Sequence, residues 1–358
     1  MSVKLIPRFA LLVLTLAGSF LAAWLSFSFL QMSHTKRDAS NFATHSCLRD
    51  SFSDVVLVII YNYPLYTTVP LLKKLYGNAF PTIMFCGPKP ENNSLEHPIE
   101  AVYHKKGYFG YLCLARAMEK YSREDQIDIK DEAMSHSLSA NSKSSIVNYN
   151  GYLVINDDVM LNFWNFLRFD RRKIWEGPKA PVEYPGFVPR RKWYWWKSRW
   201  GKSQCQKAYN EIWSIQKDFN MWDKLNVTKT MEILTKNGRG KTFCYRGRSD
   251  MLYVPARFSE IFQLLAHIFY KHRVFLEIAV PTMLRMIDLE ANFEQFPGVY
   301  LPGRVNESFV KDSRFFWQVY NKREYFVHPM KLNYANSEMS RALLKTWVIE
   351  YIEQITAC

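Results

Sequence analysis

An apolar run that stops at two adjacent aspartates constrains the fold more than any other feature of this chain. Residues 152–155 include two β-branched side chains and are entered through Asn150-Gly151, which is typical of a short buried strand. Asp157 and Asp158 follow where such a strand leaves the core. Neighbouring carboxylates repel each other unless a positive charge lies between them, and a hard divalent cation often supplies it. The alternative interpretation is an aspartate pair that caps a loop or the next helix.

The residues before this strand alternate between strand and helix patterns. A nearly continuous apolar run at 54–62 predicts a strand that is buried on both faces. Apolar residues with helical spacing follow at 68–76, and a second strand is predicted at 81–88. Strand, helix and strand in this order form a βαβ unit, so we expect an α/β fold with a parallel sheet. Further helices are predicted at 110–121, 258–269 and 338–355.

The N-terminal residues predict a membrane anchor. Residues 9–30 carry no charge and are bordered by basic residues on both sides. About 20 apolar residues span a bilayer as a helix, whereas the apolar part of a cleavable signal has only about 7–15. We therefore expect a short cytoplasmic tail at 1–8, a transmembrane signal anchor at 9–30 and a stem at 31–53.

Three glycosylation sequons support a lumenal body. They begin at Asn92, Asn226 and Asn306, and each is usable only if the chain after the anchor lies in the lumen. The prediction is a single-pass type II membrane protein whose lumenal domain covers residues 54–358. A polar, Ser-rich segment at about 122–146 has no periodicity and is predicted to be a mobile loop.

The charge of the chain points to anionic partners. The formal net charge is +14, which for another protein would suggest nucleic acid, but a lumenal domain never meets it. A nucleotide diphosphate, an acidic glycan or membrane headgroups are the remaining partners. Residues 190–202 interleave six cations with five aromatic residues. This segment is either an acceptor-binding loop that stacks on sugar rings or a basic surface helix. In the second case its Trp side chains pack on the core or lie at the membrane interface.

The six cysteines permit disulfides but do not specify them. No Cys-x-x-Cys motif is present, so a zinc site is not expected. Cys86 and Cys113 lie in apolar segments, and we predict both to be buried free thiols.

Three short motifs carry a resemblance to a known family. Residues 151–159, 249–255 and 275–282 resemble Golgi glycosyltransferases of the GT-A type, and more narrowly the STELLO-like glycosyltransferases. The resemblance implies a Rossmann-type nucleotide-binding sheet with an acceptor-binding half, and a nucleotide-sugar donor above the strand ends. It also implies that Asp158 contacts a metal ion and that Asp157 helps to bind the nucleotide. The motif departs from the family pattern at Asn156, where an acid is missing.

A second motif completes the implied metal site. Residues 325–331 resemble a C-terminal motif of many GT-A enzymes, in which a histidine coordinates the metal and a lysine contacts the diphosphate. The resemblance assigns these roles to His328 and Lys331, with Mn²⁺ or Mg²⁺ as the cofactor, and imidazole suits Mn²⁺. The alternative is a surface histidine before a proline turn.

Two further acids are candidates for the acceptor side. Glu277 lies in the middle of the apolar segment 274–280, where a carboxylate has a raised pKa that suits a general base. The alternative is a buried structural partner of an arginine, such as Arg273 or Arg285. Asp250 follows a basic turn and precedes a predicted strand, so it either binds an acceptor hydroxyl or forms an ion pair with a neighbouring arginine.

Two functions are consistent with these observations. The first is a metal-assisted transferase that moves a sugar from a nucleotide-sugar onto a glycan or glycoprotein acceptor, which could be acidic, in association with other Golgi transferases. The second is a non-catalytic Golgi scaffold or glycan-binding protein with the same fold. The proximity of Asp158 and His328 separates them, because two ligands of one metal ion lie within about 5 Å of each other.

Overall fold

The computed structural model describes residues 47–90, 97–122, 148–178, 193–217, 227–301, 313–333 and 337–358. The segment predicted as an anchor, most of the predicted loop at 122–146 and the three sequon asparagines lie outside these ranges. No helix within the described ranges is long and apolar enough to cross a membrane. The elements below belong to the compact unit from Leu48 to Cys358.

The described residues contain ten strands in two sheets. They are β1 Val55–Ile60, β2 Ile83–Gly87, β3 Ile99–Ala101, β4 Gly151–Asn156, β5 Met160–Leu161, β6 Trp175–Glu176, β7 Met251–Pro255, β8 Glu294–Gln295, β9 Val299–Tyr300 and β10 Phe326–His328.

Ten α-helical segments of the described residues accompany the sheets. They are α1 Val69–Tyr76, α2 Tyr111–Lys120, α3 Tyr194–Lys197, α4 Lys202–Lys217, α5 Val227–Asn237, α6 Ser259–Lys271, α7 Leu276–Ile287, α8 Ser313–Val319, α9 Glu338–Leu344 and α10 Glu350–Thr356.

The larger sheet has the strand order β3-β2-β1-β4-β7-β6-β8. The first four strands are parallel to one another, and β7 runs antiparallel to β4. Every residue of β1 and β4 is buried, which confirms the two strands that the apolar runs predicted. Helices α1, α2 and α6 confirm three of the predicted helices within one or two residues at each end. The α/β fold expected from the sequence is therefore present, with a sheet that is mostly parallel.

Helices cover both faces of this sheet. Side chains of β1 alternate between two apolar clusters, so that Val56 and Val58 pack with α2, α6 and α7. Leu57 and Ile59 face the other way, toward α1 and the C-terminal helices. A parallel strand between two helical layers needs apolar side chains on both faces, and this explains its continuous hydrophobic pattern.

The C-terminal helix differs from its prediction. Instead of one α-helix over 338–355, α9 and α10 are joined by a π-helical turn at Lys345–Ile349. The apolar spacing that predicted the helix is retained, because Val348, Ile349 and Ile352 are all buried. A π turn adds one residue to the helical repeat, which sequence periodicity over a single turn does not reveal.

The small sheet brings the C-terminal region to the end of β4. Its order is β5-β10-β9, and β10 pairs with β5 so that Val327 lies opposite Met160. This register carries His328 toward Asp158, two residues before β5. The backbone N–H of Met330 also donates to the carbonyl of Asp158 at 2.6 Å.

The prediction of free thiols was wrong. Cys86 at the end of β2 and Cys113 in α2 form a disulfide, with their Cα atoms 5.8 Å apart. Cys205 and Cys244 form a second one, and none of the cysteines is free. An apolar sequence context is shared by buried thiols and buried disulfides. Only the packing of α2 on the sheet brings Cys113 within bonding distance of Cys86.

Removal of the Cys86–Cys113 disulfide is expected to destabilise the fold. The double variant Cys86→Ala, Cys113→Ala should lose about 2–4 kcal/mol of unfolding free energy, because the bond no longer restricts the unfolded chain. Urea denaturation followed by circular dichroism measures the change. An unchanged midpoint under oxidising conditions would contradict this role for the bond.

Candidate functional site

The candidate site lies where the order of the parallel strands reverses. The chain runs from β1 outward to β2 and β3, and then returns to the other side of β1 as β4. Ligands of open α/β sheets bind at the carboxyl ends of the strands at such a switch point. Asp157 and Asp158 directly follow β4 there, and the N–H of Asp157 donates to the carbonyl of Ile60 at the end of β1 at 3.0 Å.

Asp250 reaches the same edge because of the direction of β7. Ile155 pairs with Met251 in the antiparallel register, so Asp250 lies beside Asn156. The Asn156 N–H donates to the Asp250 carbonyl, and its side-chain amide donates to the Asp250 carboxylate, both at 3.0 Å. An acid at position 156 would repel Asp250. The asparagine that replaces the acid of the family motif is therefore compatible with the neighbouring Asp250.

Asp158 contacts both predicted residues of the C-terminal motif. Its Oδ1 lies 3.1 Å from Nε2 of His328, and its Oδ2 forms an ion pair with Nζ of Lys331. The same His328 nitrogen is 3.7 Å from the carboxylate of Asp250. All four side chains are mostly buried. Four of the six predicted site residues therefore form one contiguous cluster.

The two neighbouring aspartates differ in their electrostatic setting. Burial raises the pKa of Asp158, but His328 and Lys331 outweigh burial and hold that pKa far below its ordinary value. Burial and the charge of Asp158 raise the pKa of Asp157 to about 8. Burial lowers the pKa of His328, and the charges of Asp158 and Asp250 more than reverse this effect. The surroundings thus shift the pKa values of the two neighbouring aspartates in opposite directions.

Two tyrosines lie on the β1 side of the aspartate pair. The rings of Tyr61 and Tyr66 are 4.9 Å apart, and Tyr61 shares a hydrogen bond with Thr68 at 2.9 Å. Burial and the charge of Asp157 raise the pKa of Tyr66 to about 12. Asp157 is therefore close enough to both tyrosines, next to the end of β1, to influence their pKa values.

Glu277 lies in the first turn of α7 and is half-buried. Its carbonyl accepts a hydrogen bond of 3.0 Å from the N–H of Gly247, three residues before Asp250. Of the two arginines that offered a structural alternative, Arg285 pairs with Glu176 and Glu290. The other, Arg273, stacks on the rings of Tyr270 and Phe109.

Tyr300 is a site residue that the sequence did not reveal. It lies in β9, its hydroxyl hydrogen-bonds to Asp250, and its ring is 5.5 Å from that of His328. Burial raises the pKa of Tyr300, as do the nearby Asp250 and, more weakly, Glu277, so the phenol keeps its proton. The guanidinium of Arg248 lies 3.8 Å above the ring. No local signal marks Tyr300, because β9 has two residues and Asp250 is distant in sequence.

The aromatic residues of the 190–202 segment mostly pack against the protein. The ring of Trp195 stacks on Phe275 with centroids 4.2 Å apart. Trp195 and Trp200 both meet Tyr108 edge to face. Tyr194, in contrast, is 63% exposed. In its described part, from residue 193, the segment thus shows the packing of a basic surface helix, and its cations lie on the outer side.

The residues at the end of β4 fit a divalent cation that shares its coordination with a substrate. Nowhere in the described ranges do three or more His, Cys, Asp or Glu side chains form a ready-made metal cage. Asp158 Oδ1 is nevertheless buried and lies 3.1 Å from Nε2 of His328, so a carboxylate oxygen and an imidazole nitrogen meet there. One carboxylate and one imidazole leave positions for the oxygens of a diphosphate, which is how Mg²⁺ is often bound in nucleotide sites. Lys331 would remain on the other carboxylate oxygen.

The parallel-rich sheet, with an acidic pair at its switch point, fits a GT-A-like nucleotide-binding fold. Over 285 residues, or 80% of its length, the chain is 24% identical to the protein named "Probable glycosyltransferase STELLO1" from Arabidopsis thaliana. Over 292 residues it is 23% identical to "Probable glycosyltransferase STELLO2" from the same plant. The resemblance to STELLO-like proteins that the motifs indicated is thereby confirmed. The chain spans about 30% of the length of these relatives, and no protein-family model matches it.

Proposed function

We propose that this protein is a glycosyltransferase that moves a sugar from a nucleotide-sugar donor to a glycan or glycoprotein acceptor. The observation that carries the proposal is the contact of Asp158 with both His328 and Lys331 at the switch point of the sheet. These residues come from distant parts of the chain and meet where α/β sheets bind nucleotides. The names of the two Arabidopsis relatives support the same reaction class.

On the donor side of the site, positive charge is needed to stabilise the negative charge of the leaving diphosphate. Lys331 supplies a point charge that a diphosphate oxygen would share with Asp158. Asp157 would bind the nucleotide beside Tyr61 and Tyr66. A Mn²⁺ or Mg²⁺ ion held by Asp158 and His328 would supply Lewis-acid stabilisation of the charge on the leaving group.

The acceptor side of the site needs a base and a means of orientation. Glu277 takes the proton from the acceptor hydroxyl as that oxygen bonds to the donor sugar, and Asp250 accepts a hydrogen bond from a neighbouring acceptor hydroxyl. The Tyr300 hydroxyl and the Asn156 amide fix the orientation of Asp250. A base that acts on the face opposite the diphosphate favours inversion at the anomeric carbon.

The proposed setting is the Golgi membrane, with a type II orientation. The uncharged stretch at 9–30 and the three sequons support it. In that setting the domain after residue 54 faces the lumen, where it would meet nucleotide-sugars, glycoproteins and other transferases.

A donor screen tests the proposal. The purified full chain is incubated with Mn²⁺ and a panel of nucleotide-sugars, and release of nucleoside diphosphate is measured together with the thermal shift on adding each nucleoside diphosphate. We expect release from one donor and a higher melting temperature with its nucleotide. No release from any donor and no thermal shift would contradict the proposal.

A second candidate function is a non-catalytic glycan-binding or scaffold protein. The ion pair between Lys331 and Asp158 favours it, because an internal cation already neutralises one carboxylate oxygen. In that case neither nucleotide nor Mn²⁺ would raise the melting temperature, whereas an oligosaccharide would. The thermal-shift experiment therefore separates the two functions.

A further inference from the structure

Three cations near the acceptor side of the site have aromatic partners instead of acidic ones. Lys105 Nζ lies 4.6 Å and the Arg199 guanidinium 4.3 Å from the centre of the Trp200 ring. Arg248 lies over Tyr300. None of the three forms an ion pair with a residue of the described ranges.

Three other arginines of the fold are neutralised by acidic side chains of the protein. Arg171 pairs with Asp54, Arg116 with Glu100 and Arg257 with Asp288. Two cations that share one indole ring repel each other, and aromatic faces offset that repulsion only in part. An anion from outside the protein would reduce this repulsion by neutralising the cations. Lys105, Arg199 and Arg248 thus form what we term the cationic rim.

Backbone hydrogen bonds position the rim on both sides of Glu277. The N–H of Phe275 donates to the carbonyl of Trp200 at 2.9 Å, which fixes the ring that carries Lys105 and Arg199. On the other side, Gly247 donates to the carbonyl of Glu277, and Arg248 is the next residue. The start of α7 therefore connects the two parts of the rim.

The loop that carries Lys105 has a defined and costly conformation. Lys105 and Lys106 have φ angles of 48° and 57°, in the left-handed region that is unfavourable for residues with a Cβ atom. The N–H of Gly107 donates to Nδ1 of the buried His104 at 3.0 Å. A Cβ atom on Gly107 would lie 2.0 Å from the side-chain oxygen of Asn62, so the loop packs tightly against the end of β1. Such strain is typical of segments that hold a functional side chain in place.

We infer that the acceptor is an acidic glycan, whose carboxylate or sulfate groups bind the cationic rim while a hydroxyl reaches Glu277. That the bound glycan is the acceptor of the reaction rests on the proposed function. That an anionic glycan binds here rests only on the cationic rim. Guanidinium groups pair with carboxylate and sulfate oxygens through two parallel hydrogen bonds, which suits Arg199 and Arg248. The exposed Tyr194 offers an adjacent face for a sugar ring.

Binding of defined oligosaccharides tests the inference. The full chain is titrated with a heparin-derived hexasaccharide, with hexagalacturonate and with the neutral cellohexaose, at low and at physiological salt. We expect tighter binding of one acidic hexasaccharide than of the neutral one. Arg248→Gln and Lys105→Gln should each weaken that binding about tenfold, because each removes a charge-assisted hydrogen bond.

A matched control is Lys236→Gln, which removes the same charge from an exposed position. Lys236 precedes Asn237, whose side chain donates to the carbonyls of Arg285 and Asp288 at the far end of α7. Equal loss in the control, or equal affinity for acidic and neutral hexasaccharides, would overturn the inference. Arg248-dependent binding of dihexanoyl phosphatidylserine without binding of either acidic hexasaccharide would also overturn it, in favour of a membrane surface.

Failure of this inference and failure of the proposed function give different results. Rim-dependent binding of an acidic hexasaccharide supports the site even if no donor is hydrolysed. Donor hydrolysis without such binding supports the transferase and overturns the acidic acceptor.

Discussion

Replacing Asp158 with asparagine is expected to abolish the Mn²⁺-dependent binding of nucleoside diphosphate. The change removes the charged oxygen that faces His328 and the charge that holds Lys331, while the side chain keeps its size. His328 can then release its proton and Lys331 retains access to solvent, so we expect the fold to persist. Isothermal titration with the diphosphate of the preferred donor, with and without Mn²⁺, measures the effect.

Asp170→Asn provides the matched control for this variant. Asp170 also pairs with a cation, Arg172, but it adjoins Arg171, which contacts Asp54 at the amino end of β1. It therefore lies at the edge of the sheet opposite the candidate site, and its replacement should leave nucleotide affinity unchanged. Unchanged Mn²⁺-dependent affinity in Asp158→Asn itself would rule out a role for Asp158 as a metal ligand.

The parts of the fold that could be predicted are those in which local sequence decides the structure. Strands β1 and β4 are buried on both faces, so their hydrophobic runs identify them without knowledge of the neighbours. Asp157 and Asp158 could be recognised as a site because they interrupt such a run. The amphipathic helix α6 is also predictable from local sequence, because its apolar residues recur with helical spacing on the face that packs on the core.

The parts that could not be predicted depend on long-range register. The contact of His328 with Asp158 requires the pairing of β5 with β10, and these strands have only two and three residues. The motif around His328 indicated its role through resemblance to a family and not through any local physical signal. Tyr300 was missed for the same reason, and the Cys86–Cys113 bond requires the packing of α2 on the sheet.

The cationic rim shows how composition and structure combine. The net charge of +14 predicted an anionic partner but could not say where it binds. The fold pairs many of the cations with acids and leaves Lys105, Arg199 and Arg248 on aromatic rings beside the acceptor half of the site. The interleaved aromatic residues at 190–202 were candidates for sugar stacking, yet Trp195 and Trp200 instead hold the rim in position.

Replacing Glu277 with glutamine is expected to lower kcat for sugar transfer by about 10²–10⁴-fold. Glutamine keeps the size and the hydrogen-bonding atoms of the side chain but cannot accept the proton of the acceptor hydroxyl, and general base catalysis typically contributes a factor of this order. Donor binding should hardly change, because Glu277 lies near Tyr300, on the proposed acceptor side of the site. Transfer rates at saturating donor, together with the donor affinity and the melting temperature, measure the effect.

Glu260→Gln is the control, since Glu260 lies in the first turn of α6 as Glu277 lies in the first turn of α7, but it is exposed. It should leave transfer unchanged. A structural role of Glu277 predicts a different result, because an arginine left unpaired and buried costs about 3–5 kcal/mol and the melting temperature would fall sharply. Arg285 is already held by Glu176 and Glu290, which makes it a poor partner for Glu277. A stable Glu277→Gln variant that binds donor but does not transfer sugar therefore identifies the base, whereas a large loss of stability refutes that role.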